Sequence, residues 1–351
     1  GKKFEDYFFF VADIVTWAKK RMFVGPGRGS AGGSLLCYCL GITSVDPMRF
    51  NTMFERFLDI TRNDWPDIDI DFPHNRPEEV FEYLRETYGE ERVARLGTIS
   101  EFGAKSAMND TAKATGVPYD VAREFGKYTE GVGQGVTISP GRIFGTDKHD
   151  TMLTDDHYKL LEKYPQMRLA TMLNWDDGPV NVGRPRHHGV HAAGVVVTQG
   201  KVRDFGATTK EGTICMDMKA AEDIGLVKMD ALGLRTLSIL QDACDMIGID
   251  PRTLYDLDWE DTKVYEEIFN KDRVTGVFQF EGPAVRSLLK GLGKMERFDD
   301  VCALTSLARP GPLIGGAAEN WVKARKGDIE PRVLHPSLEP TFGVICYQEQ
   351  M

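Results

Sequence analysis

The segment from Pro66 to Phe72 constrains this chain more than any other. Its residues alternate between acidic and apolar side chains in the order PDIDIDF. This two-residue period is that of a β-strand, and it predicts that Asp67, Asp69 and Asp71 project from one face. Carboxylates so close together repel one another, and a cation between them removes that cost. The alternative is an exposed edge strand with a polar face.

A glycine-rich segment, GPGRGSAGGS, runs from Gly25 to Ser34. It follows Met22–Val24, which we predict as a short strand, and precedes an apolar run predicted to be helical. Glycines let backbone N–H groups approach an anion, and Arg28 can bind phosphate through two hydrogen bonds. The hydroxyls of Ser30 and Ser34 can also donate to phosphate. No Gly-Lys-Ser/Thr ends the segment, so it is not a Walker A motif. Close packing of a strand on a helix is the alternative role.

The segment GLVKMD, residues 225–230, is a further strand candidate. Lys228 and Asp230 share one face of it, because side chains two apart point the same way. Asp230 could complete a carboxylate triad with Asp67 and Asp69, and Lys228 could neutralise phosphate charge. An ordinary lysine and aspartate at the end of a strand fit the periodicity as well.

Composition limits the class of protein. The 351 residues suggest two or three domains, and 42% hydrophobic residues suffice for a sizeable core. A net charge of −10 argues against DNA binding by overall charge and favours a few localised basic residues. The longest apolar stretch is too short and too polar to span a bilayer. The six cysteines form no C-x-x-C pair, so a zinc knuckle is not expected. Scattered cysteines are typical of buried thiols in a reducing cytosol, so we expect a cytoplasmic protein.

Three histidines, His187, His188 and His191, resemble a metal-binding cluster. No carboxylate or cysteine accompanies them at ligand spacing, and Arg184 and Arg186 would repel a cation. A basic loop that touches nucleic-acid phosphate is the favoured interpretation.

Seven segments occur here in the order found in one protein family. Together they resemble the C-family of bacterial replicative DNA polymerases, the family of DNA polymerase III alpha subunits. The resemblance runs from about residue 4 to residue 351 and is weakest between about 100 and 185. The segments are GPGRGSAGGSL, ERFL with PDIDIDF, HAAGVVV, GLVKMDALGLRTL, GVFQFEG, ARPGPL and FGVICYQEQ.

The resemblance implies roles for individual residues. Asp67 and Asp69 fall on the family's paired catalytic aspartates and Asp230 falls on the third, so the three are expected to hold two Mg²⁺ ions. Asp71 is interpreted as a supporting residue, because one more carboxylate would concentrate too much negative charge. The residues expected to bind the nucleotide are Arg28, Gly29, Ser30, Arg56, Lys228 and Arg309.

The resemblance also implies an α+β architecture. The palm is expected to be similar to the polymerase-beta-like nucleotidyltransferase fold, with a mixed sheet that carries the aspartates on adjacent strands. A mostly helical thumb would be inserted into it, and the helical start of the fingers would follow. The expected bounds are 1–95 and 182–235 for the palm, 96–181 for the thumb and 236–351 for the fingers.

The implied function is that of a template-directed DNA polymerase core, which adds dNTPs to a primer 3′-hydroxyl on primer–template DNA. A sliding clamp or other replisome subunits would bind through regions absent here, so we expect a fragment, a split-gene product or a strongly reduced polymerase. One alternative is a polymerase-derived module that binds nucleic acid or a partner without synthesis on its own. Another is a small nucleotidyltransferase with a non-DNA acceptor, which the RPGPL and YQEQ matches oppose.

Overall fold

The computed structural model describes residues 4–59, 66–129, 138–145, 153–177 and 180–351. The chain divides into two compact units. The first unit comprises residues 1–93, 192–199 and 227–351, and the second comprises 94–191 and 200–226. Both units contain helices and strands.

The helices vary from one turn to four turns. In chain order they are α1 Glu5–Lys19, α2 Leu35–Cys39, α3 Pro77–Tyr88, α4 Ala104–Thr115, α5 Tyr119–Gly126, α6 Pro140–Phe144, α7 Asp155–Lys163, α8 Met218–Asp223, α9 Arg235–Ile247, α10 Thr262–Val264, α11 Pro283–Leu292, α12 Phe298–Leu307, α13 Pro310–Ile314 and α14 Ala317–Lys326. None of those in the described ranges is long and apolar enough to cross a membrane.

The strands carry the residues of the predicted site. They are β1 Asp69–Pro73, β2 Val93–Glu101, β3 Asn174–Asp177, β4 Val180–Gly183, β5 Pro185–Val197, β6 Thr213–Ile214 and β7 Val227–Leu234.

Strand β7 is the centre of the sheet in the first unit. It pairs in parallel with β1, where Asp69 lies opposite Asp230. On its other side it pairs antiparallel with the end of β5, where Gly194 lies opposite Asp230. The sheet is therefore mixed, and both aspartates lie on the same face of neighbouring strands.

Helix α1 packs on the core that supports this sheet. Its buried residues recur at helical spacing, and they are Tyr7, Phe8, Val11, Ile14, Val15 and Ala18. They share one hydrophobic core with Ile70 and Phe72 from β1, with Ile68 directly before it, and with Met229 from β7. Because apolar residues of the PDIDIDF segment enter this core, its aspartates are directed to the opposite face.

The first unit contains another core, built by helices. Its members come from the region between Tyr265 and Val322, with Phe280, Leu304 and Trp321 almost fully buried. The second unit has its own core, in which Met108, Phe125 and Ile143 from α4, α5 and α6 are buried. In that unit β3 and β4 form an antiparallel pair, and β2 pairs in parallel with β6.

The predicted α+β class is confirmed at this level, since helices accompany a mixed sheet. The prediction of a strand at Met22–Val24 is wrong, because this segment is irregular. Side chains satisfy its backbone in place of a neighbouring strand. The Gln241 side chain accepts from the Phe23 N–H at 2.8 Å, and the Tyr255 hydroxyl donates to the Val24 carbonyl.

Candidate metal centre

Three carboxylates meet at one edge of the first unit's sheet. Asp67, Asp69 and Asp230 each place one oxygen within 4.8 Å of the other two. Asp69 and Asp230 arrive there as partners on β1 and β7, whereas Asp67 precedes the strand and is the most exposed of the three. Among the residues that the structure describes, this is the one group of three or more potential ligands close enough to hold an ion.

The surroundings of Asp69 penalise its negative charge. Burial raises the pKa of Asp69 above its ordinary 3.8, and the nearby charges of Asp67 and Asp230 raise it further, while Arg28 and Lys228 oppose them. The Oδ1 atom of Asp230 is buried and accepts no hydrogen bond from any described residue. A buried oxygen without a donor is costly, so this atom favours a ligand that supplies positive charge.

Gly194 is the β5 residue that lies opposite Asp230. In an antiparallel pair, residues opposite each other project from the same face. Because Gly194 has no side chain, β5 places no side chain directly opposite that carboxylate. No pattern in the sequence indicates a role for this glycine, because its position depends on the register of β5 on β7.

Lys228 lies between two of the three carboxylates. Its Nζ is 3.2 Å from Oδ1 of Asp67 and 3.4 Å from Oδ2 of Asp230. The side chain is only 13% exposed, so the ion pairs are partly shielded from water. The i and i+2 spacing predicted that Lys228 shares a face with Asp230. Its ammonium group lies where it can offset the charge of Asp67 and Asp230.

Arg28 connects the glycine-rich segment to β1. Its Nη1 donates to Oδ1 of Asp71 at 3.0 Å, and its Nε lies 3.7 Å from Oδ2 of Asp69. Asp71 is 8% exposed and lies outside the three-carboxylate group. Burial raises the pKa of Asp71, and its contact with Arg28 opposes that rise. Asp71 therefore holds Arg28 and is not grouped with the metal ligands.

The glycine-rich segment is held against β1 by its backbone. The Gly25 N–H donates to the Asp71 carbonyl at 2.8 Å, and a Cβ on Gly25 would lie 2.9 Å from the Cβ of Asp71. Only glycine fits so close an approach. Gly29 has a φ of +56°, which also favours glycine, and it begins a short 3₁₀ turn that contains Ser30.

Ser34 has a structural role in place of the predicted phosphate contact. It is fully buried, and its Oγ accepts from the Cys37 N–H at 3.2 Å as the N-cap of α2. A buried cap cannot reach a ligand. Ser30, by contrast, lines a cavity of about 630 Å³ in the first unit together with Gly29 and Arg56.

Arg56 forms an ion pair with an acidic residue that lines the same cavity. Arg56 Nε lies 3.4 Å from Oε1 of Glu349, and both residues line the cavity. The aromatic residues Phe298 and Tyr347 also line the cavity. An arginine beside the Gly29–Ser30 turn is well placed for a phosphate, and Glu349 is the charge that a phosphate would have to displace.

The remaining predicted residues are not among those that form the three-carboxylate group or line the cavity. Arg309 is exposed at the start of α13, is not among the residues that line the cavity, and forms no ion pair within the described ranges. His187 and His188 are exposed on β5 in the second unit, and the three histidines form no cluster with ligand geometry among the described residues. Arg186 pairs with Asp110 at 2.7 Å.

One residue that the sequence did not indicate reaches from α1 to the backbone between Asp67 and Asp69. Tyr7 is 5% exposed, and its hydroxyl accepts from the Ile68 N–H at 3.2 Å. Burial raises the pKa of Tyr7 above its usual value, and the charges of Asp67, Asp230 and Asp69 add to the rise. Its apolar neighbours on α1 conceal this role, because the helical pattern accounts for Tyr7 as a core residue.

These observations fit a divalent cation. The available ligands are carboxylate oxygens, which hard cations such as Mg²⁺ prefer. The unpaired Oδ1 of Asp230 and the raised pKa of Asp69 are both relieved by positive charge at that position. Asp67, Asp69 and Asp230 are the residues that would hold it.

Comparison with known proteins identifies the family. Residues 1–233 match the profile described as the bacterial DNA polymerase III alpha NTPase domain, and residues 236–351 match that of the bacterial DNA polymerase III alpha subunit finger domain. The DNA polymerase III subunit alpha of Aquifex aeolicus (strain VF5) is 38% identical over 99% of this chain, and that of Staphylococcus aureus (strain MRSA252) is 37% identical over 99%. The chain spans 32% of the length of each of these relatives. It belongs to the bacterial DNA polymerase III alpha family.

Proposed function

We propose that this chain is the catalytic core of a template-directed DNA polymerase, which adds dNTPs to a primer 3′-hydroxyl on primer–template DNA. The observation that carries the proposal is the meeting of Asp67, Asp69 and Asp230 beside the glycine-rich segment, in a chain of the DNA polymerase III alpha family. We further propose that residues 1–95 and 182–235 act as palm, 96–181 as thumb and 236–351 as fingers, with a palm of the polymerase-beta-like type.

The proposed metal centre uses two Mg²⁺ ions held by Asp67, Asp69 and Asp230. Bound there, the ions would lower the pKa of the primer 3′-hydroxyl and stabilise charge on the transferring phosphoryl group. Lys228 already faces Asp67 and Asp230, and it is available to neutralise a phosphate once a cation takes over those carboxylates.

The triphosphate is proposed to lie along the glycine-rich segment. Gly29 and Ser30 would donate from the backbone and the hydroxyl, while Arg28, fixed by Asp71, would contact a phosphate oxygen. Arg56 would bind the same group after release from Glu349. Rate enhancement would come from positioning and charge neutralisation, without a covalent intermediate. Arg309 is proposed as a further nucleotide contact on the family resemblance alone.

The cellular setting is also part of the proposal. All six cysteines are free of disulfides, which fits a reducing cytoplasm. A sliding clamp and other replisome subunits are proposed as partners, on the family match.

A second candidate function is a polymerase-derived module that binds nucleic acid or a partner without synthesis on its own. The fraction of the relatives that the chain spans favours it, because closing over a nascent base pair needs more protein than a metal centre. Primer extension by this polypeptide alone, with no second chain added, would exclude this alternative.

The test of the main proposal is primer extension by the intact protein with Mg²⁺ and dNTPs. Asp67→Ala and Asp230→Ala should each abolish extension while the thermal unfolding midpoint remains at or above that of the wild type. Asp242→Ala, an exposed aspartate on α9, is the matched control and should extend normally. Near-normal extension by either triad variant would refute the assignment.

A further inference from the structure

We propose that Tyr7 is a positioning residue, which fixes the backbone between Asp67 and Asp69 and thereby sets the spacing of the metal ligands. The inference deepens the proposed function and rests on it. Nothing in the family match points to this tyrosine. We base the inference on one hydrogen bond and on the residue at which the pairing of β1 with β7 begins.

The hydrogen bond joins α1 to the residue between the two aspartates. The Ile68 N–H donates to the Tyr7 hydroxyl at 3.2 Å. Ile68 is 1% exposed, so water cannot readily replace this acceptor. A buried N–H without a partner is destabilising, so the backbone at Ile68 would move towards another acceptor if Tyr7 lost its hydroxyl.

The β-ladder gives this bond its importance. Pairing between β1 and β7 begins at Asp69 opposite Asp230, so Ile68 and Asp67 lie beyond the last pair. At Ile68, directly before β1 begins, the Tyr7 hydroxyl accepts the hydrogen bond that a neighbouring strand would otherwise accept. Asp67 comes next, with a side chain that is 62% exposed, and the bond at Ile68 limits how far it can turn away.

Tyr7 is itself held firmly. It lies in the first turns of α1, is 5% exposed, and belongs to the core that includes Ile68 and Met229. Its ring packs edge-on against Phe8 at a centroid distance of 6.1 Å. A hydroxyl on so rigid a support can hold the backbone at a defined place, as outer groups do for ligands in other metal sites.

A purely structural role predicts a different outcome. If the hydroxyl only satisfies Ile68, removing it lowers the unfolding midpoint and leaves metal affinity unchanged. If it sets the spacing of the ligands, metal affinity falls beyond any loss of stability. The two roles separate when both quantities are measured on one variant.

The experiment measures Mn²⁺ binding to the intact protein by electron paramagnetic resonance, without nucleotide. Tyr7→Phe keeps the ring and removes only the oxygen. The matched control is Tyr83→Phe, whose hydroxyl bonds to Asp13 at 2.8 Å. The Mn²⁺ binding that Asp69→Asn loses is the share that belongs to this site. We expect Tyr7→Phe to raise the Kd of that share about ten-fold, the lower end for outer-group changes, and Tyr83→Phe to change it less than two-fold.

Two results would overturn the inference, and they differ in what they say of the proposed function. A Kd within two-fold of the wild type in Tyr7→Phe, with binding lost in Asp69→Asn, would refute the role of Tyr7 and leave the metal centre in place. Unchanged binding in Asp69→Asn would refute the metal centre and the inference with it.

A second variant covers the case in which Tyr7→Phe does not fold. Replacing Ile68 by its α-hydroxy acid, through suppression of a stop codon, removes the N–H and leaves Tyr7 and both side chains in place. The same ten-fold rise in Kd is expected, and an unchanged Kd would overturn the inference.

Discussion

Asp69 and Asp230 are register partners on the neighbouring parallel strands β1 and β7, although far apart in the sequence. Strands in a sheet are about 4.8 Å apart, so this pairing forces two carboxylates together on one face. Burial and the neighbouring charges raise the pKa of Asp69 as a result. Electrostatic repulsion at Asp69 therefore destabilises the folded state, and unfolding measurements can detect this effect.

Removing the charge of Asp69 should stabilise the protein when no divalent cation is present. Because its pKa is raised in the folded state, the ionised carboxylate opposes folding at neutral pH. Asp69→Asn should raise the thermal unfolding midpoint in EDTA at pH 7.5. The gain should shrink as the pH falls through the raised pKa, because the wild-type carboxyl then becomes neutral as well. A midpoint lowered by Asp69→Asn at pH 7.5 would contradict the stated repulsion.

Replacing Lys228 should affect metal binding and catalysis in opposite directions. Lys228 Nζ lies 3.2 Å from Asp67 and 3.4 Å from Asp230, so it competes with a cation for their charge. Lys228→Met should tighten Mn²⁺ binding about five-fold, equivalent to about 1 kcal/mol, and should lower the rate of dNTP incorporation. Titration by electron paramagnetic resonance checks the first effect, with the exposed Lys113→Met as control. Weaker Mn²⁺ binding in Lys228→Met would show that the lysine supports the ion.

Freeing Arg56 should improve nucleotide binding. Glu349 Oε1 lies 3.4 Å from Arg56 Nε in the cavity that Ser30 also lines, and the proposed triphosphate would have to displace it. Glu349→Gln should lower the KM for dNTP about three-fold, with little change in kcat, because an exposed pair contributes about 0.2–1 kcal/mol. Steady-state incorporation kinetics measure this, with Glu319→Gln as control, since Glu319 pairs with Lys323 at 2.7 Å elsewhere. A raised KM in Glu349→Gln would indicate that the glutamate orients Arg56 productively.

Weakening the support of Arg28 should affect the nucleotide more than the metal. Asp71 accepts from Arg28 at 3.0 Å and lies outside the three-carboxylate group. Asp71→Asn should raise the KM for dNTP about ten-fold. It replaces a charge-assisted hydrogen bond of about 1.5–3 kcal/mol by a weaker neutral one, so part of that energy is lost. Its Mn²⁺ affinity should stay within two-fold of the wild type. A loss of Mn²⁺ binding equal to that of Asp69→Asn would make Asp71 a ligand.

The sequence was sufficient for the residues whose role follows from local order. The alternation in PDIDIDF placed the apolar residues in the core and the aspartates opposite them, and the spacing of Lys228 and Asp230 put both on one face. It was insufficient wherever a role depends on a distant partner. Ser34 matched a phosphate contact and became a buried helix cap, because Cys37 N–H required an acceptor.

Three further features could not be predicted from the sequence, because each depends on a distant partner. Gly194 matters only because the register of β5 places it opposite Asp230. Tyr7 matters because the ladder ends next to Ile68, and Glu349 because the chain returns to Arg56. None of these relationships has a local periodicity, so no pattern in the sequence could have indicated them.

The most direct test of the central claim is single-turnover incorporation of one dNTP by the intact protein carrying Asp230→Asn. This change keeps the shape of the side chain and removes the charge that a cation would need. The account predicts a loss of at least about 100-fold in rate, with normal DNA binding and an unfolding midpoint no lower than that of the wild type, while Asp242→Asn incorporates normally. Incorporation by Asp230→Asn within ten-fold of the wild-type rate would contradict it.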